Sequence, residues 1–307
     1  MGSYCSLILS LLVFVFVFGC RVVAITPGFD DNYVITWGDN NVLHLDQGRT
    51  IQLSMDKSSG SGFASKLSYG SGYFHLNMKL PAKDSAGVVT AFYLTSHDGD
   101  AHDELDFEFL GNREGKPYIL QTNVFANGEG NREQRILLWF DPTAGYHTYK
   151  ILWNPHQIVF YVDQIPIRVF KNNRKIGVDY PSKPMQIEAS LWDGESWATD
   201  GGKEKINWSM APFKAYFRGF NIDGCSSSSP PSSSSSYKSS SSSSSSSSNT
   251  DDQSVCYSTK LWWNREKYWK LTPYEQKAYE NVKNYYMTYD YCSDKPRFPK
   301  PPPECPQ

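Results

Sequence analysis

Glu104, Asp106 and Glu108 stand two residues apart in the run His102-Asp103-Glu104-Leu105-Asp106-Phe107-Glu108-Phe109. Successive side chains of an extended chain point to opposite faces, so the three carboxylates share one face and Leu105, Phe107 and Phe109 share the other. The apolar face predicts core. Three like charges in a row repel one another and disfavour the fully ionised state. Such a row is either a solvated sheet face or a site that needs carboxyl groups in different protonation states, one as nucleophile and one as general acid or base. His97, Asp98, Asp100 and His102 offer metal-ligating residue types beside it, but their spacing fits no EF-hand loop. A structural hydrogen-bonding role is expected for His102, and neither metal nor cofactor is expected.

A strand of this kind has to sit in a sheet with one buried face, and the flanking sequence supplies one. Short alternating segments separated by turn residues occupy 42–45, 50–55, 73–80, 88–95, 118–125, 134–140 and 148–153. The run 157–162, the pair Asp163-Gln164 and the run 165–170 predict a hairpin whose second arm, carrying Pro166, lies at an edge or a bulge. Many antiparallel strands without helical periodicity between them imply an all-β sandwich. A chain of 307 residues that is 39% hydrophobic and 15% aromatic can bury a large core. Trp and Tyr side chains on the face away from that core would make platforms for sugar rings.

The ends read differently. The apolar run 7–18, followed by Val22-Val23-Ala24, is shorter than the roughly 20 residues a membrane span needs and predicts a secretory signal over 1–24, although residues 1–6 carry no Lys or Arg. Its removal leaves Cys225, Cys256, Cys292 and Cys305, an even number that predicts disulfides in a secreted chain. Of the three possible connectivities, Cys225 with Cys256 and Cys292 with Cys305 closes the shorter loops at the least entropic cost. The tract 226–248 is almost all serine and has nothing to bury. Thr272-Pro273-Tyr274-Glu275 predicts a capped helix start, and Tyr274, Ala278, Val282, Tyr285, Tyr286 and Tyr289 predict its packed stripe. The division expected is a signal at 1–24, a β-sandwich at 25–224, a serine-rich loop at 225–256 and a C-terminal extension at 257–307. A net charge of -2 argues against nucleic acid as a partner.

The carboxylate run closely resembles the active-site signature of the plant xyloglucan endotransglucosylase/hydrolases of glycoside hydrolase family sixteen. The resemblance extends through Gly60-Ser61-Gly62-Phe63-Ala64-Ser65-Lys66, Ser85-Ala86-Gly87-Val88-Val89-Thr90-Ala91, Trp139-Phe140-Asp141-Pro142-Thr143, Ser190-Leu191-Trp192 and Tyr289-Asp290-Tyr291-Cys292. It implies a concanavalin-like jelly-roll sandwich with a small helix-containing, disulfide-linked C-terminal extension, whose concave sheet binds a β-glucan across a cleft. It also implies that Glu104 is the nucleophile, Glu108 the general acid/base and Asp106 the residue that orients Glu104. One tension follows. Residues four apart on a straight strand are about 13 Å apart at Cα, whereas a retaining pair has carboxyl groups about 5 to 5.5 Å apart.

By the same resemblance Gln121, Thr122 and Asn123 contact the glucan near the cleavage point, and Asn131, Arg132 and Glu133 match a motif that more often begins with Asp. Trp192, Ser196, Trp197 and Gly201 match the acceptor-side loop, where Asp commonly stands in place of Ser196 and Arg in place of Asp200. The usual sequon position is lost at Asn112-Arg113-Glu114, leaving Asn207-Trp208-Ser209 as the expected glycosylation site. Implied partners are xyloglucan donor and acceptor chains, met by a secreted monomer in the cell wall and apoplast, with no membrane attachment after signal cleavage. Three functions compete: a transglucosylase, a hydrolase using the same residues, and a glucan-binding sandwich without chemistry. The third does not require all three carboxylates. The hydrolytic branch tends to a longer loop than 193–202, which favours transfer.

Overall fold

Alternation in the sequence becomes antiparallel sheet. A computed structural model describes residues 26–227 and 254–305; the expected signal segment and nearly all of the serine tract lie outside them. One helical turn, α1 (Phe29–Asn32), leads into β1 (Tyr33–Trp37), β2 (Val42–Leu45), β3 (Thr50–Met55), β4 (Ser61–Lys79), β5 (Val88–Thr95), β6 (Glu104–Leu110) and β7 (Ile119–Phe125). Then follow β8 (Gln134–Leu137), β9 (His147–Trp153), β10 (Gln157–Val162), β11 (Ile165–Lys171), β12 (Met185–Asp193), β13 (Phe213–Arg218) and β14 (Asp223–Ser226). Beyond the serine tract come helix α2 (Pro273–Tyr285) and β15 (Met287–Asp290). Strand β8 stops before the expected 140. The expected strand 73–80 is the second half of β4, which runs unbroken for 19 residues.

Strand β4 serves two layers. Its first half pairs with β1 and β12, and the order continues through β5, β6, β7 and β8 to β15; its second half pairs with β13, β14 and β9, continuing to β10 and β11. At the crossover Gly72 lets β14 close in, since a Cβ there would lie 2.7 Å from the Asp223 carbonyl oxygen. The layers pack face to face: Phe107 meets Phe160 at 5.1 Å and Phe109 meets Tyr149 at 4.5 Å between ring centroids. Leu105, Phe107 and Phe109 are completely buried. Each contributes about 1.5–3 kcal/mol by that burial, and a one-residue slip of β6 would turn all three to solvent. Their burial fixes which face carries the carboxylates.

The predicted hairpin is β10 and β11 around Asp163-Gln164, with β11 at the end of its layer and a register shift opposite Pro166. Its outer face is covered by the C-terminal extension: Leu152, Val159 and Tyr161 pack with Trp263. Both expected disulfides are present, Cys225 with Cys256 and Cys292 with Cys305. Helix α2 begins with the predicted capping box on Thr272 and Glu275. Its packed face is the predicted one in part, through Ala278, Val282 and Tyr286. Tyr274 and Tyr285 are 82% and 75% exposed, whereas Val282 is buried; Tyr289 lies beyond the helix, in β15. The Tyr161 hydroxyl donates to Glu275 at 3.3 Å, so the face toward the sandwich passes through Glu275 and Val282. Strand β15 pairs with β8, making the extension an edge of the layer that holds the carboxylates.

Candidate active site

On the face of β6 away from the core, Glu104, Asp106 and Glu108 line a cleft of about 670 Å³ together with Tyr93, Gln121 and Asn123. Asp106 is only 6% exposed. Burial raises all three carboxyl pKa values, and neighbours then divide them. Asp106 is held highest, first by burial, then by the charges of Glu104 and Glu108 and by a hydrogen bond to Glu104. That bond lowers Glu104, as does one from the Thr95 hydroxyl. A hydrogen bond between two carboxyl groups requires a proton; Asp106 is the group that carries it, donating to an ionised Glu104. Glu108 is raised by burial and by the charge of Glu104, against a hydrogen bond from Gln121. Burial still holds Glu104 above the ordinary carboxylate range, so the three acids titrate as one coupled row in which Asp106 is raised the most.

The neighbouring strands hold these groups in place. Across β7, Gln121 lies opposite Glu108 and Asn123 opposite Asp106. The Gln121 amide donates to Glu108 at 2.7 Å, and Arg135 on β8 donates to the Gln121 oxygen at 2.7 Å, which sets the orientation of the amide. Across β5, Tyr93 lies opposite Asp106. Its hydroxyl donates to Glu188 of β12 at 2.6 Å, and His97 approaches the other Glu188 oxygen at 2.6 Å. The hydrogen bond with Glu188 raises the His97 pKa. Nothing about Tyr93, Glu188 or Arg135 stands out in the sequence, because only the pairing register brings them to the carboxylates. Continuing the β6 alternation across its partners is the signal that would have found them.

The other expected site residues divide. Trp192 and Trp197 line the cleft, with ring centroids 6.0 Å apart. Thr122 does not: it is 2% exposed and lies between Gln121 and Asn123, so it faces the core, where Arg168 donates to its hydroxyl at 3.0 Å. Arg132 also turns inward, paired with Glu304 at 2.9 Å and bonded to the carbonyl oxygens of Val124 and Glu129. Asn131 and Glu133 are held by Arg297 of the extension at 2.6 and 2.7 Å. Ser196 and Gly201 are exposed outside the cleft lining. His102 holds the Gly99 carbonyl oxygen at 2.9 Å and packs on Phe125. Asn207 caps a short 3-10 turn, accepting from the Ser209 hydroxyl at 2.7 Å.

An antiparallel sandwich whose open cleft is lined by three carboxyl groups in a row has the parts of a glycoside-cleaving class of protein. Comparison with known families gives the same class: the description "Glycosyl hydrolases family 16" matches residues 29–210 and "Xyloglucan endo-transglycosylase (XET) C-terminus" matches 257–305. The chain is 57% identical over 303 residues to xyloglucan endotransglucosylase/hydrolase protein 2 of Arabidopsis thaliana, covering 98% of this chain and 97% of that protein. With protein 3 of the same plant the identity is 52%, covering 94% of this chain and 92% of that one. The chain belongs to the xyloglucan endotransglucosylase/hydrolases of glycosyl hydrolase family 16. Among solved structures, a Bacillus licheniformis β-glucanase matches 61% of this chain and 89% of its own, with 28% identity and a TM-score of 0.50. The Crh5 transglycosylase, at 24% identity and a TM-score of 0.51 over 65% of this chain and 80% of its own, shares the fold.

Proposed function

We propose that this protein is a secreted xyloglucan endotransglucosylase of the plant cell wall that works with retention. Ionised Glu104 attacks the anomeric carbon of the donor while Glu108 gives its proton to the departing glucan oxygen, leaving a glycosyl ester on Glu104. Glu108, now a carboxylate, takes the proton of an acceptor hydroxyl as that hydroxyl attacks the anomeric carbon and frees Glu104. Asp106, by donating to Glu104, holds its oxygen in line and moderates its charge. The observation that carries the reading is geometric: Glu104, Asp106 and Glu108 share one face of β6 and line one cleft, with the Gln121 amide donating to Glu108 at 2.7 Å.

Transfer in preference to hydrolysis is supported by the loop after β12. Gly194 donates to the Gly87 carbonyl oxygen at 2.9 Å, and the Thr199 hydroxyl donates to the Gly111 carbonyl oxygen at 2.7 Å. The loop is thus drawn back onto the ends of β5 and β6, leaving room for an acceptor chain beside Trp192 and Trp197. Within the same reading, 1–24 directs secretion, Asn207 carries a glycan, and no helix among the described residues is long and apolar enough to cross a membrane. Incubation with xyloglucan and a labelled oligosaccharide acceptor tests the proposal: label should enter polymer, and a preparation that only shortens xyloglucan would refute transfer.

A further inference from the structure

A tryptophan outside the expected site stands at the far end of the cleft. Trp37 is 40% exposed and lines the same cleft as the carboxylates, although it belongs to β1, four strands from β6. The pairing register puts it on the cross-strand row of Glu108: Trp37 lies opposite Gly62, Gly62 opposite Ser190, Ser190 opposite Ala91, and Ala91 opposite Glu108. Between the indole and the carboxyl group the floor is therefore Gly, Ser and Ala, small and uncharged. Four strand spacings place Trp37 about 19 Å from Glu108.

Two local features aim the ring. A register shift between Ile35 and Trp37 breaks the regular alternation of β1, and such bulges redirect side chains beside binding sites. Gly62 then lets the indole lie against the backbone: a Cβ there would stand 2.4 Å from Trp37 Nε1, and one on Gly60 would stand 3.0 Å from the far edge of the ring. The ring is held on one side by glycine backbone and left open on the other.

We propose that Trp37 is a stacking platform for a glucosyl ring of the bound glucan, remote from the point of cleavage, and so a residue that makes binding depend on chain length. A β-1,4-glucan advances by about one strand spacing per residue, so the platform meets the ring about four residues from the carboxylates. The uncharged floor suits a neutral polysaccharide and leaves height for the ring to pass. The inference rests on the xyloglucan reading given above.

The test is binding to the Glu104→Gln protein, which holds ligand without turning it over. Calorimetry would compare xyloglucan oligosaccharides with backbones of about two and about eight glucosyl units, too short and long enough to span the row. Trp37→Ala should weaken the long ligand about tenfold and leave the short one within about twofold, with Trp37→Phe recovering part of the loss. Equal losses for both lengths, or a lowered melting temperature with unchanged length dependence, would make Trp37 a structural cover and overturn the proposal. If protein with Trp37 intact bound neither length, the xyloglucan reading would fail, and the platform with it.

Discussion

Asp106 explains how one strand can hold three acids within a few ångströms of one another's fields. Its proton removes one charge and supplies a donor to Glu104, while burial and the charge of Glu104 raise Glu108. Glu104→Gln should therefore lower turnover by at least about a thousandfold with the fold intact, and substantial residual activity in protein free of wild type would refute the nucleophile. The hydrogen bond from Gln121 favours ionised Glu108, so its loss raises that pKa. In Gln121→Met, the alkaline limb of the pH–rate profile should move to higher pH, and a move to lower pH would reverse the assigned role. Asp106 also makes a stability prediction. Its pKa is higher in the fold than unfolded, so its own contribution to stability is complete below the ordinary Asp range and is lost as pH rises through the raised value. Asp106→Asn should be the more stable protein near neutral pH, with the gain shrinking in acid; a gain that grows in acid would contradict this. The three acids are legible in the sequence because alternation needs no partner strand. Thr122 and Arg132 are misplaced by a positional match to a motif, which carries no information about facing: Thr122 falls on the core face of β7, and Arg132 finds Glu304 from 172 residues away.

Strands read well where one face is fully apolar, as in β6, and where a two-residue turn fixes the pairing, as in β10 and β11. The course of β4 is less legible, because Gly70-Ser71-Gly72 can either end a strand or bend it, and only the approach of β14 decides. Helix α2 shows a similar division. Its start is written in Thr272, Pro273 and Glu275, and Thr272→Ala should cost about 1 kcal/mol of helix stability. Its face is obscured because tyrosines flank both sides of the stripe and each can lie half in water. Val282→Ala should cost about 2 kcal/mol, whereas Tyr274→Ser should stay within about 0.5 kcal/mol; thermal unfolding of the two would show whether the packed face has been assigned correctly. Reduction of the two disulfides should loosen the extension before the sandwich, since the core between the layers contains neither bridge. Hydrogen exchange that rose first in β5 and β6 would contradict that order.

The cleft follows a cross-strand row from β1 to β7. From Trp37 it passes over Gly62, Ser190 and Ala91 to Glu108 and Gln121, and the same row continues in the sheet to Arg135 and to Tyr289 of the extension. Residues from 37 to 197 thus line one groove, which is why its extent is invisible before the register is known. A groove of this length bears on the fate of the glycosyl-enzyme. Water is abundant, so a sugar hydroxyl wins only if the acceptor is held in attacking geometry, an advantage worth up to about 7–11 kcal/mol in favourable intramolecular cases. The short loop at 193–202 and the two tryptophans beside it support such holding; Ser196 and Asp200, exposed outside the cleft, add no contact to it. The most direct measurement follows purified protein on xyloglucan with and without a labelled oligosaccharide acceptor, recording labelled polymer and new reducing ends over time. Labelled polymer should accumulate while reducing ends stay nearly constant, and reducing ends rising at one rate with or without acceptor would show that water, not sugar, completes the reaction.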